Sequence, residues 1–186
     1  MCPMRVISGE AKGRHLKAPG RPTRPATDLV RGAIFSILEN MTDDWDRVLD
    51  LFSGSGALGI EALSRGAGSV DFVEREHRCC AIIEDNLVKT GLASRAHIHC
   101  TTVARALSFL DGEYGIVLVD PPYSDPSIGK VVRQLAESSL VGQDTVVVVT
   151  HSSRLPLEPA YGGLHMVKEH RHGDSSIAIY RKESIA

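Results

Sequence analysis

From about residue 27 the apolar positions fall into a regular alternation of helical and strand periods. Thr27 or Asp28 can cap a helix whose one face carries Val30, Ile34, Ile37 and Leu38. The short apolar run Val48-Leu49-Asp50-Leu51-Phe52 predicts a strand, followed by a glycine loop and a helix from about Ala57 to Ser64. Strand 70–73, helix 76–90, strand 97–100, helix 102–110, strand 116–119, helix 127–138 and strand 145–149 continue the series. Near the end, runs 165–170 and 175–180 flank Gly173-Asp174, a pair suited to a hairpin turn. Strands alternating with helices predict a doubly wound, mostly parallel α/β sheet covered on both faces. The closing hairpin should add an antiparallel strand at or near one edge. Such sheets bind ligands at the carboxyl ends of their strands, where the strand order reverses.

Composition narrows the classes. The chain has 186 residues, 42% hydrophobic and 24% charged, which fits one globular domain and not a disordered chain. No stretch approaches the roughly 18 apolar residues of a membrane span. Met1-Cys2-Pro3-Met4-Arg5 has no apolar core behind it and lacks the pattern of a secretory signal. Cys2, Cys79, Cys80 and Cys100 form neither a disulfide framework nor paired C-x-x-C zinc spacing, so a reduced, cytoplasmic protein is expected.

A net charge of −2 argues at first against a nucleic-acid partner. It divides unevenly, however, into +5 over residues 1–31 and −7 over the rest. The basic segment holds Gly9, Gly13, Gly20, Pro19, Pro22 and Pro25, which suggests a short hairpin and then an extended loop. A loose solubilising tail is the plain alternative, but Val6-Ile7 and Leu16 argue that part of the segment folds. The expected division is a basic arm over 1–26 and a catalytic body over 27–186.

The loop after the first strand, Asp50-Leu-Phe-Ser-Gly54-Ser-Gly56-Ala-Leu-Gly59, contains G-x-G-x-x-G, and Glu74 lies 20 residues beyond Gly54. By spacing alone it is a dinucleotide fingerprint, as in a nicotinamide- or flavin-dependent oxidoreductase. Asp50 argues against that ligand. Its carboxylate would face the diphosphate, and like charges a few ångströms apart cost on the order of 1–4 kcal/mol. A ligand with an ammonium group reverses the sign. S-Adenosyl-L-methionine has one, and its ribose diol suits Glu74.

Asp120-Pro121-Pro122-Tyr123 ends the very apolar strand 116–119. Two prolines cannot donate to a ladder, so the strand stops there with a stiff backbone. Asp120, with the Pro121 carbonyl, can accept both hydrogens of a nucleobase amine. Tyr123 can stack on the base, worth about 1–3 kcal/mol.

Asp-Pro-Pro-Tyr resembles the signature of amino-methyltransferases, and the Asp50–Gly56 loop resembles their S-adenosylmethionine motif. Three further blocks widen the likeness: Arg5 to Arg14, Arg24 to Arg31, and Phe52 to Ala67. Together with the Tyr161–Tyr180 region they make the chain similar to the bacterial 16S ribosomal RNA (guanine-N2)-methyltransferase family. The resemblance implies a Rossmann-like class I methyltransferase sheet and transfer of a methyl group to a guanine N2 in 16S rRNA, free or in an assembling small subunit. Carried over, it puts Asp50, Phe52, Gly54 and Gly56 at the methionine end of the cofactor and Glu74 at the ribose. Asp120, Pro121, Pro122 and Tyr123 would form the base pocket. Thr27, Asp28 and Arg31 would lie at the mouth of the site, with Arg5, Lys12, Arg14, Arg24 and Arg31 on the RNA. The stretch Cys100–Arg105 lacks the family's usual reader of the adenine amine, so a hydroxyl such as that of Thr102, or a backbone group, must substitute. Gly32 stands where the family often has Glu.

The implied reaction is in-line transfer, dominated by placing the amine about 3–3.5 Å from the methyl, on a base that is flipped or in a loop. No metal is required, and the histidines show no ligand spacing. A DNA or RNA adenine-N6 methyltransferase is the nearest alternative, although only 63 residues follow Tyr123 to hold a target-recognition region. A monomer is expected.

Overall fold

A computed structural model describes residues 4–20, 27–123 and 125–182. Among these residues eight strands form one sheet: β1 (Arg47–Leu51), β2 (Ser69–Glu74), β3 (Ala96–Cys100), β4 (Tyr114–Val119), β5 (Val141–Ser152), β6 (Ala160–Tyr161), β7 (Leu164–His172) and β8 (Ser175–Lys182). The spatial order is β3-β2-β1-β4-β5-β8-β7-β6. β1 to β5 are parallel, whereas β8, β7 and β6 pair antiparallel. The closing hairpin is thus more than one added edge strand. Its second strand, β8, seats against β5, and β7 and the short β6 extend the sheet beyond it. β5 is also longer than its valine run suggested, because Val141 pairs with Tyr114 before the register shifts.

Helices cover both faces. α1 (Asp28–Met41), α2 (Ala57–Ser64) and α3 (His77–Thr90) lie on one side, and α4 (Val103–Phe109) and α5 (Ile128–Glu137) on the other. Thr27 caps α1, its hydroxyl accepting from the Val30 N–H at 3.3 Å. Val30, Ile34, Phe35 and Leu38 then turn into the first core beside Val48, Ile116, Leu118, Val146 and Val148. Each such side chain contributes roughly 1.5–3 kcal/mol by leaving water. Alternation puts Leu49, Leu51, Val117, Val119, Val147 and Val149 into the second core, under α4 and α5. No described helix is long and apolar enough to cross a membrane.

The basic segment begins as a small hairpin closed by the Arg5–His15 bridge, and Val6, Ala11 and Leu16 are part of the first core. Fully buried Glu61 of α2 accepts the N–H groups of Ile7 and Ser8 at 2.9 and 3.0 Å. The Ser64 hydroxyl donates to the Ser8 carbonyl and accepts from Ala11 N–H. Gly9 sits at φ +83°, where an added Cβ would lie 1.8 Å from the Ser64 carbonyl oxygen. Gly9→Ala is therefore expected to cost about 2–4 kcal/mol in urea unfolding, from left-handed strain plus overpacking. An unchanged midpoint would mean that the hairpin does not bear on α2.

Cys80 and Cys100 correct the expectation of wholly reduced thiols: they form a disulfide, with Cα atoms 6.1 Å apart. Parallel pairing sets Glu74 opposite Cys100, and α3 starts three residues after Glu74, so tertiary register makes the pair that spacing hid.

Candidate functional site

The strand order reverses between β1 and β4, and Asp50 and Asp120 stand at the carboxyl ends of these two neighbours. Val48, Ile116 and Leu118 face α1–α3, so period-two alternation turns Asp50 and Asp120 to the same side. The glycine loop leaves β1 through Phe52, at φ +59°. A bulky residue in that region is strained, and such strain clusters at ligand sites. The Ser53 hydroxyl donates to the Asp50 carbonyl at 2.7 Å, fixing the turn, and Gly56 opens α2 in the left-handed conformation. Gly59 is required by packing: a Cβ there would meet the Phe72 ring at 2.3 Å and the Asp50 carboxylate at 3.0 Å.

Asp50 is 1% exposed. Its Oδ2 accepts the Gly59 N–H at 3.0 Å, while Oδ1 is buried without a partner among the described residues. Burial pushes its pKa up to about 8, against the Gly59 hydrogen bond and with help from the charges of Asp120 and Glu74. Glu74 ends β2 beside the loop, accepting from Gly54 N–H at 2.8 Å and from Glu76 N–H at 2.9 Å. Each of its oxygens retains a second lone pair. A positive ligand group would satisfy the orphaned Asp50 oxygen and relieve the repulsion among these acids. A diphosphate would aggravate both.

Asp120 is also raised, to about 6, by burial, which outweighs a hydrogen bond from the Thr150 hydroxyl. Thr150, at the end of β5 and level with Asp120, was not among the sequence candidates. Its signal was the polar residue closing a valine run at a strand's carboxyl end. Pro121 is buried, Pro122 exposed and Tyr123 half-buried in the turn. The Pro122 carbonyl accepts from Asp125 N–H at 3.0 Å and fixes the exit of the loop. A fixed carboxylate acceptor thus stands one strand away from a buried, cation-seeking one.

Arg5, Lys12 and Arg14 are exposed on the hairpin, with no carboxylate in an ion pair among the described residues. Lys17 is paired with Asp85 at 2.6 Å. Arg24 lies outside the described residues. Arg31 departs from its expected place on the RNA: it is fully buried, donating to the Arg5 carbonyl at 2.8 Å and pairing with Asp28. Its length lets it tie the hairpin to the first turn of α1. Asn86 of α3 makes a second tie, bonding Lys17 through both its oxygen and its nitrogen and donating to the Ser55 carbonyl of the glycine loop. Thr102 caps α4, with its oxygen accepting from Arg105 N–H at 3.3 Å, and its hydroxyl hydrogen remains available as a donor.

Residues 4–181 match the family model described as Conserved hypothetical protein 95. The Bacillus subtilis protein YlbH, provisionally named an rRNA methyltransferase, is 37% identical over 96% of this chain and 99% of its own. Ribosomal RNA small subunit methyltransferase D of Escherichia coli is 31% identical over 97% of this chain and 91% of its own. Among solved structures, the Escherichia coli protein yhhF, provisionally named a methyltransferase, superposes with a TM-score of 0.84 at 28% identity, over 97% of this chain and 98% of that one.

Proposed function

The chain belongs to the Conserved hypothetical protein 95 family, which it matches over nearly its whole length, and we propose that it methylates the exocyclic N2 amine of a guanine in small-subunit rRNA from S-adenosyl-L-methionine. The observation that carries this reading is the buried Asp50 carboxylate with an unpartnered oxygen, beside the Asp120–Tyr123 turn at the reversal of strand order. When bound, S-adenosylmethionine supplies an electrophilic sulfonium methyl. Asp50 and the backbone of Phe52, Gly54 and Gly56 hold its cationic methionine end. The free lone pairs of Glu74 would accept from the ribose hydroxyls, and the Thr102 hydroxyl would be the donor available to the adenine.

Asp120 and the Pro121 carbonyl accept the two hydrogens of the guanine amine, aiming its lone pair at the methyl group. Tyr123 stacks on the base. As the methyl carbon passed from the sulfonium sulfur to N2, leaving a neutral thioether, the displaced proton would go from the nitrogen to the Asp120 carboxylate, whose pKa near 6 suits that transfer. Thr150 fixes the carboxylate's direction. Arg5, Lys12, Arg14 and Arg24 meet phosphates of the RNA, and Arg31 supports that surface from within.

Incubating the protein with methyl-labelled S-adenosylmethionine and rRNA from unmethylated small subunits, then digesting to nucleosides, tests the proposal. Label in N2-methylguanosine is the expected result. Label in N6-methyladenosine would move the target to adenine. Absence of label with tight binding of a nicotinamide dinucleotide would overturn the methyltransferase reading.

A further inference from the structure

We infer that the groove between α1 and β7 is a second RNA-binding surface, which receives the rRNA strand running on from the target base; the inference rests on the proposed function. β7 lies beyond the cover of α1, leaving a groove of about 570 Å³. Ala33, Ile37 and Met41 line one side and Lys168, His170 and His172 the other. No carboxylate lines it among the described residues, although the chain after residue 31 carries a net −7. Lys168 is exposed and in no ion pair among the described residues. It supplies a cation for a phosphate, and half-buried His172 offers an N–H donor and a flat face on which an unstacked base rests.

Strand register connects this groove to the base pocket. Val119 pairs with Val149, so Asp120 is level with Thr150. Thr150 pairs with Ile177, and Ile177 with His170. Asp120, Thr150, Ile177 and His170 therefore form one row across the sheet, all on the α1 face. Two strand spacings, about 10 Å, separate the Thr150 backbone from that of His170. One row below, Leu118, Val148 and Ile179 lead in the same way to Lys168.

The groove has a sign at each end. Its far end, at Asn40 and Met41, opens on a hollow where Glu39, Asp43, Asp44 and Asp144 outnumber the one cation, Arg181, so that its net charge repels phosphates. A strand leaving the pocket is thus drawn past His172 and His170 to Lys168 and stopped there. With the N-terminal hairpin on the other flank of α1, the RNA is gripped on both sides of the flipped base.

The test uses Lys168→Gln with His172→Ala in the full chain, assayed on protein-free small-subunit rRNA and on assembled small subunits lacking the modification. The expected result is a rise of about tenfold in KM for both RNAs, with kcat and S-adenosylmethionine affinity unchanged. The slope of log affinity against log salt should also fall by roughly 0.7–0.9, the share of the one phosphate that Lys168 neutralises. Unchanged KM and slope would overturn the inference, as would a defect on assembled subunits alone, which would give the groove to a ribosomal protein. If the double variant loses its melting transition, Lys168→Gln alone, at an exposed position, carries the same readout. Failure of the parent protein to methylate any rRNA would instead sink the proposed function, so the two failures are separable.

Discussion

Asp120→Ala is expected to lower kcat for methyl transfer about 10³-fold or more, while RNA affinity and S-adenosylmethionine affinity change by less than a few-fold. The carboxylate is asked to orient the amine and to take its proton, and general-base contributions alone are typically 10²–10⁴-fold. Loss of orientation adds to this, because a small misplacement of the attacking atom costs much of the advantage of proximity. Asp120→Asn separates the two roles. It keeps the shape and the bond to Thr150 but accepts through one oxygen only, so it should recover little activity. The pH profile offers an independent check. Only the ionised form accepts both bonds, so kcat/KM for RNA should fall tenfold per unit below a pKa at or under about 6, lowered further by the bound sulfonium. Full activity of the alanine variant would show that the base pocket lies elsewhere.

Asp50→Asn carries the second large effect, on the cofactor. In the free protein Asp50 titrates near 8 and is mostly protonated at pH 7. Binding a cation beside it ionises the carboxylate and releases a proton. S-Adenosylmethionine affinity should therefore rise with pH by up to tenfold per unit and level off above about 8. Calorimetry in buffers of different ionisation enthalpy should detect close to one proton released at pH 7. In Asp50→Asn the released proton and the pH dependence both disappear, and affinity falls by about 10²-fold, as expected when a buried charge partner is removed. Stability moves the opposite way. The folded pKa lies above the unfolded value of 3.8, so the native state binds the extra proton and this group's stabilisation is lost as pH rises towards 8. The ligand-free variant should consequently melt higher than the parent at pH 8. A variant that binds the cofactor as tightly as the parent would remove Asp50 from the site.

Much of this was legible in the chain because it is local. Asp50, Gly54, Gly56 and Gly59 lie within ten residues and share one strand–loop–helix unit, and Asp120 to Tyr123 are contiguous. The α/β alternation followed from period alone, since the all-buried β4 has no other use for six consecutive interior positions. Long-range pairing was not legible. Thr150 reaches Asp120 only because β5 lies beside β4, 30 residues on, and Cys80 finds Cys100 only through the β2–β3 register. Arg31 was misplaced for a different, local reason. Charge patterning puts a basic residue near the others on the surface, but helical phase turns it inward, where the Arg5 carbonyl and Asp28 hold it. Of the two halves of the proposed RNA surface, the hairpin was visible as an excess of charge. The groove along β7 was not, because its cations are few and its distinguishing property is the absence of acids.

The bonds that hold the N-terminal hairpin also set the order in which the molecule can be made. Its anchors, Glu61, Ser64 and Asn86, lie 53 to 69 residues further along the chain. A hairpin alone is marginal in water, so residues 4–17 leave the ribosome with nothing to fold upon. At about 5–20 residues per second, they wait for several seconds until α2 and α3 emerge. Throughout that time an unpaired basic segment is held next to the ribosomal RNA of the particle translating it. Docking on Glu61 and Asn86 leaves Arg5, Lys12 and Arg14 exposed but fixes where they stand, so assembly of the fold turns a segment that any phosphate could attract into a surface of fixed shape.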